Sequence, residues 1–233
     1  MITEKTSAIL PVHVYGQVCN VKKIQEIADR HHLKLIYDAA HAFGVTVDGR
    51  GIGCFGDASV FSFHATKVFH SIEGGAIAFH SFEDGVKMYQ IKNFGFMGED
   101  MVCAVGGNAK LSEFHAAMGL CNLEHIEEIL NRRKILVERY RERLKDIDGL
   151  TYLLPQKDVE ENYSYFPLLI NREAFGVSRD DIYERLAQNG VHARRYFYPL
   201  TKDFPCYKMQ FRTTDTPVAE FVAENILTLA MSI

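Results

Sequence analysis

Short apolar runs alternate with helical patterns along the first half of the chain. Strands are predicted at four runs of apolar and β-branched residues: 7–14, 33–37, 58–63 and 75–80. Pro11 weakens the first of these predictions, because proline cannot donate a hydrogen bond to a sheet. Asn20 can cap a helix in which Val21, Ile24 and Ile27 recur at helical spacing. This alternation predicts an α/β fold with a mostly parallel sheet flanked by helices.

The second half begins with a long helical pattern over residues 111–148, interrupted near 119–123 and ended by Gly149. A smaller α+β unit is predicted to follow it. Its strands are expected near 151–154, 164–170 and 192–197, and its helices at 178–188 and 217–228. We therefore predict two domains, residues 1–148 with the long helix and residues 149–233.

Composition narrows the classes of function. The 233 residues are 47% hydrophobic and 24% charged, which suffices for a sizeable core. A formal charge of -4 argues against a nucleic-acid or anionic-membrane partner. No run reaches the ~18 apolar residues of a spanning helix, and the first ten residues lack the apolar core of a signal peptide. The five cysteines form no CxxC pair, so a cytoplasmic protein with free thiols is expected.

Two candidate groups follow predicted strands. Asp38 and His41 stand three residues apart in the segment DAAH, and Lys67 lies in a polar turn five residues after Ser62. Each has an ordinary interpretation: a helix-capping aspartate, a packed histidine, a surface lysine. Together they match what pyridoxal phosphate needs, namely a lysine to form a Schiff base and an aspartate to pair with the pyridinium nitrogen. Ser62 and loop glycines could bind the phosphate.

A third candidate is the segment GGNAK at 106–110, which opens the first long helix and could bind an oxyanion there. Simple loop-to-helix punctuation explains it equally well. The ten histidines show no HxxxH or HExxH spacing, and Cys121 with His125 supplies only two possible ligands. No metal site is predicted.

The segments PVHVYG, YDAAHAFG, GDASVFSFHATK, EGGAIAF and GGNAKLSEFHAAMGL together resemble the DegT/DnrJ/EryC1/StrS aminotransferases. The resemblance extends from about residue 8 to the end and is densest over 8–120. It implies the fold of aspartate aminotransferase (fold type I) and a pyridoxal-phosphate enzyme that aminates keto-sugars carried on nucleotides.

The resemblance also implies roles for single residues. Lys67 matches the Schiff-base lysine, Asp38 the aspartate on the pyridine nitrogen, and Ser62 the phosphate-binding serine. His41 stands where the family has Gln or His beside the ring oxygen. Asn108 matches an asparagine that reaches the phosphate of the partner subunit's cofactor, which implies a homodimer with shared active sites.

The segments HATKVFHSIEGG and RRYFYPL are similar to enzymes that act at C4 of a dTDP-4-keto-6-deoxyhexose with glutamate as amino donor. Such sugars enter O-antigen, other cell-surface polysaccharides or secondary metabolites. Arg195, Tyr196 and Tyr198 are the residues of the second segment expected to face the sugar nucleotide.

The family carries a further N-terminal segment, with a phosphate-binding turn and an aromatic residue that stacks on the ring, which has no counterpart in these residues. A closing C-terminal helix is likewise unmatched. This difference leaves open a truncated, non-catalytic remnant or partner subunit of such an enzyme. A second alternative, a related sugar dehydratase, keeps the cofactor but changes the reaction. Lys67 counts against the dehydratase, because those relatives have histidine at that position.

Overall fold

The computed structural model of the protein describes residues 2–210 and 214–231. Its strands are β1 Ala8–Ile9, β2 Lys34–Asp38, β3 Thr46–Val47, β4 Arg50–Gly51, β5 Ala58–Ser62, β6 Gly75–Phe79, β7 Leu150–Tyr152, β8 Val159–Glu160, β9 Phe166–Ile170 and β10 Ile226–Leu229. Its α-helices are α1 Val21–Arg30, α2 Phe82–Lys92, α3 Glu113–Glu124, α4 Ile126–Leu144, α5 Arg172–Phe175, α6 Arg179–Gln188, α7 Pro205–Lys208 and α8 Pro217–Asn225.

The described chain forms two compact units, each treated separately below. The first runs to Asn131 and includes Gln156–Ser164, and the second comprises Arg132–Pro155 and the described residues from Tyr165 onward. The predicted boundary between residues 148 and 149 lies inside the second unit and stays a prediction.

The first unit is built on a four-stranded sheet with the order β1-β2-β5-β6. The pairs β1–β2 and β2–β5 are parallel, whereas β5–β6 is antiparallel. The expected α/β class with a mostly parallel sheet is therefore confirmed. The predicted strand at 7–14 is shorter than expected: β1 covers only two residues, and Val12 adds an isolated parallel bridge to Asp38.

Local sequence explains why α1 begins where predicted. The Asn20 side-chain oxygen accepts a hydrogen bond from the Lys23 N–H at 3.1 Å, which satisfies one of the donors left free at a helix start. The helix packs its apolar stripe on the core of the first unit, which includes Val21, Ala28, Leu35 and Tyr37.

The long helical pattern is divided at His125 into α3 and α4, just beyond the predicted interruption. Among the described residues, no helix combines the length and the apolar character that crossing a lipid bilayer would require.

The second unit contains an antiparallel sheet in the order β10-β9-β7. The predicted helix 178–188 is α6, which starts with a capping box made by Ser178 and Asp181. Two predictions were wrong. Residues 192–197 form no strand, only a bridge from Arg194 to Thr228. The last helix ends at Asn225, because residues 226–229 pair with β9 and are mostly buried there.

Candidate active site

Asp38 ends β2 at the edge of the sheet where the carboxyl ends of the parallel strands meet. Its side-chain Oδ1 accepts a hydrogen bond from the Ala40 N–H at 3.0 Å. The Ala39 N–H donates to the Val60 carbonyl of β5 at 2.8 Å, so the chain just after β2 is fixed to its neighbour. This edge is where open α/β sheets bind their ligands.

His41 follows in the same loop and is only 9% exposed. Its Nδ1 accepts a hydrogen bond from the Tyr15 backbone N–H at 3.0 Å. Burial and, to a lesser extent, the positive charge of Lys67 lower the pKa of His41, while the charge of Asp38 raises it; together they bring the pKa to about 4. The ring is therefore neutral near pH 7, and its proton resides on Nε2 because Nδ1 is an acceptor.

Lys67 lies in the turn that follows β5, with its backbone N–H bonded to the His64 carbonyl at 2.9 Å. The side chain is half-buried, and burial lowers the pKa of its amine, while the charge of Asp38 raises it. Within residues 2–210 and 214–231, this amine has no hydrogen bond and no ion pair. The charge of Asp38 shifts the pKa of Lys67, and the charges of Asp38 and Lys67 both shift the pKa of His41. These three side chains therefore lie near one another.

Ser62 is the last residue of β5, paired across the sheet with Gly75. Its hydroxyl accepts a long hydrogen bond of 3.4 Å from the His64 N–H, which keeps it at the start of the lysine turn. Asn108 lies in the same unit, on an exposed segment bridged to Asn93. Its side-chain oxygen accepts a hydrogen bond from Lys110 Nζ at 2.6 Å.

The three residues expected to face a sugar nucleotide lie in the second unit. Arg195 forms an ion pair with Asp180, with 2.9 Å between Nε and Oδ1, and its guanidinium lies 4.2 Å from the ring centre of Tyr183. The Tyr196 hydroxyl accepts a hydrogen bond from Arg194 at 2.5 Å. Tyr198 packs its ring against the guanidinium of the buried Arg179. These contacts order the segment 194–198, and its role towards a substrate stays a prediction.

Sequence reasoning missed two contributions next to the site. The first is the Tyr15 main chain, whose N–H fixes the His41 ring from a left-handed conformation with φ of 61°. The second is His13, which is fully buried, stacks on Tyr37 with ring centres 4.6 Å apart, and accepts a hydrogen bond from the Cys19 N–H at 3.1 Å. The one sequence signal for both is the segment PVHVYG, which contains His13 and Tyr15 and is part of the resemblance to the family.

A mostly parallel α/β unit that gathers a lysine, an aspartate and a neutral histidine at its strand ends is typical of fold type I pyridoxal-phosphate enzymes. Comparison with known proteins makes the class specific. The sequence model of the DegT/DnrJ/EryC1/StrS aminotransferase family matches residues 1–233, and the chain belongs to this family.

Individual relatives agree with that membership. The dTDP-4-amino-4,6-dideoxy-D-glucose transaminase of Shigella dysenteriae is 44% identical over 230 residues, covering 99% of this chain and 62% of the relative. The Escherichia coli protein of the same name is 42% identical, covering 98% and 62%. This chain thus spans less than two thirds of the length of these curated relatives.

Solved structures give the same result for the fold. DesI, crystallised in the presence of its TDP-sugar product, superposes with a TM-score of 0.90 at 37% identity, covering 98% of this chain and 58% of DesI. A putative sugar aminotransferase from Streptococcus pneumoniae, in its PLP form, gives a TM-score of 0.88 at 26% identity, covering 100% and 65%. The fold type I architecture expected from the sequence is confirmed.

Proposed function

We propose that this chain carries the active-site core of an aminotransferase that uses pyridoxal phosphate and transfers an amino group from glutamate to a nucleotide-linked keto-deoxysugar. The observation that carries the proposal is the grouping of Lys67, Asp38 and His41 at the carboxyl ends of β2 and β5. The names of the relatives at 44% and 42% identity support a dTDP-4-keto-6-deoxyhexose as acceptor.

The donor set fits pyridoxal phosphate. The Lys67 amine has no partner among the described residues and a lowered pKa, as an amine that must react with an aldehyde requires. Asp38 uses Oδ1 for the loop amide and retains acceptor capacity for a protonated ring nitrogen. Ser62 offers a hydroxyl at a strand end, where a phosphate could be bound.

When bound, the cofactor supplies an electron-withdrawing ring that stabilises negative charge on the carbon next to the transferred nitrogen. The Asp38 carboxylate would keep the proton on the ring nitrogen. His41 would donate a hydrogen bond from Nε2–H to the oxygen on the cofactor ring. Its Nδ1 accepts from the Tyr15 N–H, so in the neutral ring the proton is on Nε2. Lys67, as a free amine, would accept the proton removed from glutamate in one half-reaction and would deliver a proton to the sugar carbon in the other.

Further parts of the proposal concern the assembly. We propose a homodimer in which the exposed Asn108 reaches the phosphate site of the partner subunit, with Arg195, Tyr196 and Tyr198 near the sugar nucleotide. A cytoplasmic location is supported by the five free cysteines.

The test is a titration of the purified protein with pyridoxal phosphate, followed by absorbance, and then a single turnover with glutamate that measures 2-oxoglutarate. Lys67→Ala should abolish the visible band of the lysine-bound cofactor and the turnover. Lys34→Ala is the matched control, because that lysine is exposed and forms its ion pair with Asp57, away from the candidate site. A spectrum unchanged in Lys67→Ala would reject the assignment, and failure of the unaltered protein to bind cofactor would favour the non-catalytic alternative.

A further inference from the structure

The segment Gln156–Ser164, called here the return segment, belongs to the first unit although it is flanked by chain of the second. Its strand β8 pairs with β3. At its start, the Gln156 side chain bonds the Val18 backbone twice, accepting from the N–H and donating to the carbonyl, both at 2.8 Å. The Gln156 end of the return segment is therefore held by hydrogen bonds that do not involve the candidate site.

Its other end contacts the loop that carries His41. Asn162 is 1% exposed, and its Nδ2 donates to the carbonyls of His41 and Phe43, both at 2.8 Å. The Ser164 hydroxyl, also buried, has two acceptors within reach, the same His41 carbonyl at 2.6 Å and Asn162 Oδ1 at 2.9 Å, and its one proton is assigned to the nearer carbonyl. Two buried donors thus converge on one backbone oxygen.

Asn162 is itself held in place. Its Oδ1 accepts a hydrogen bond from the Ser164 N–H at 3.2 Å, which fixes the amide so that the nitrogen faces the two carbonyls. The same Oδ1 packs against Gly16, where an added Cβ would meet it at 2.6 Å. Gly16 follows Tyr15, whose N–H fixes the His41 ring. The return segment therefore contacts both the backbone carbonyl of His41 and the turn at Tyr15–Gly16 that determines the tautomer of the His41 ring.

We propose that Asn162 and Ser164 are positioning residues that hold the His41 main chain so that its ring keeps Nδ1 on the Tyr15 N–H and presents Nε2–H to the site. What Nε2–H meets there rests on the proposed function; the positioning itself does not. Without these donors the buried His41 carbonyl would lack its partners, and the loop would move to regain them. The ring would then gain solvent and lose its fixed tautomer.

The test uses the protein without cofactor, labelled with ¹⁵N in the histidine rings, so that NMR reports the tautomer and the pKa of His41. Asn162→Asp keeps the shape but replaces the donor nitrogen by oxygen, and Ser164→Ala removes the second donor. Ser164→Ala should raise the pKa of His41 from about 4 by roughly one pH unit or more and mix the two neutral tautomers. Asn162→Asp is judged by the tautomers alone, because its carboxylate raises the pKa of His41 by charge whether or not the ring moves. Gln156→Ala is the matched control: it removes two hydrogen bonds of the same segment without touching the His41 loop.

A second measurement uses affinity for pyridoxal phosphate. Both positioning variants should bind it roughly tenfold more weakly, the equivalent of one lost hydrogen bond, whereas Gln156→Ala should bind as the unaltered protein does. If Ser164→Ala and Gln156→Ala give the same tautomer and pKa for His41, the positioning role is rejected, even if Asn162→Asp fails to fold. If the NMR changes appear but no variant binds the cofactor, the positioning stands and the proposed function fails.

Discussion

Acid sensitivity should be built into the first unit, and His13→Asn is the substitution that reveals it. His13 is fully buried, and burial lowers its pKa to about 4, against the opposing charge of Asp38. Asparagine can still accept the hydrogen bond from the Cys19 N–H at the Nδ1 position but does not titrate. The variant therefore removes the charge change and keeps the main polar contact.

The magnitude follows from linkage. A histidine with a pKa of about 4 in the folded protein and 6.5 in the unfolded chain contributes stability that is complete above pH 6.5 and is lost as the pH falls towards 4. At 1.36 kcal/mol per pH unit, that interval corresponds to roughly 3 kcal/mol. His41 has the same lowered pKa, so the unaltered protein should lose about twice that amount. His13→Asn should retain only the loss due to His41.

The assay is urea unfolding followed by tyrosine fluorescence at several pH values between 4 and 8. The free energy of unfolding of His13→Asn should lie below that of the unaltered protein at pH 7, because the stacking on Tyr37 is lost, and the two curves should converge as the pH falls. Val18→Ala, which removes buried volume without a titrating group, should give a pH-independent difference. A constant difference for His13→Asn as well would refute the reasoning.

Four further substitutions test local structure by the same unfolding measurement. Asn20→Ala should cost about 1 kcal/mol, because the Lys23 N–H loses its cap, and no loss would mean that water replaces the side chain. Gly16→Ala and Gly49→Ala both place alanine at positive φ, but of these two only Gly16 is crowded, since an added Cβ would lie 2.6 Å from a side-chain oxygen. Gly49→Ala should lower the free energy of unfolding by about 1 kcal/mol and Gly16→Ala by clearly more. Equal losses would contradict the crowding. Leu227→Ala, at a fully buried position of β10, should cost about 2–5 kcal/mol; a cost under about 1 kcal/mol would mean that the neighbouring chain closes the cavity.

The parts of the fold that depend on neighbouring residues could be predicted from the sequence. Asn20 and the apolar spacing after it determine α1, and Ser178 determines the start of α6, because capping acts within one helical turn. The roles proposed for Lys67 and Asp38 rest on a different argument, that few cofactors require that pair, and they stay predictions. The sequence pattern also expected both residues at strand ends; the structure places Asp38 as the last residue of β2 and Lys67 in the turn after β5.

The remainder depends on contacts between distant residues. Residues 226–228 continue a helical pattern, yet they form β10, because pairing with β9 satisfies their backbone and buries their side chains. The Tyr15 N–H that binds His41 is 26 positions away and is a backbone group, which every residue except proline has. Asn162 is 121 positions from His41. No local pattern could join such residues.

The candidate chemistry and the acid sensitivity have a common cause. Burial and the charge of Lys67 keep the His41 ring neutral, which leaves a defined donor at Nε2 and avoids a second cation beside the lysine amine. The same burial means that protonation of His41 below pH 6.5 favours the unfolded chain. An exposed ring would make the fold more tolerant of acid, but it would lose the fixed tautomer and would repel Lys67 when protonated. The burial that gives the imidazole one orientation and one charge state therefore also lowers the stability of the fold at low pH.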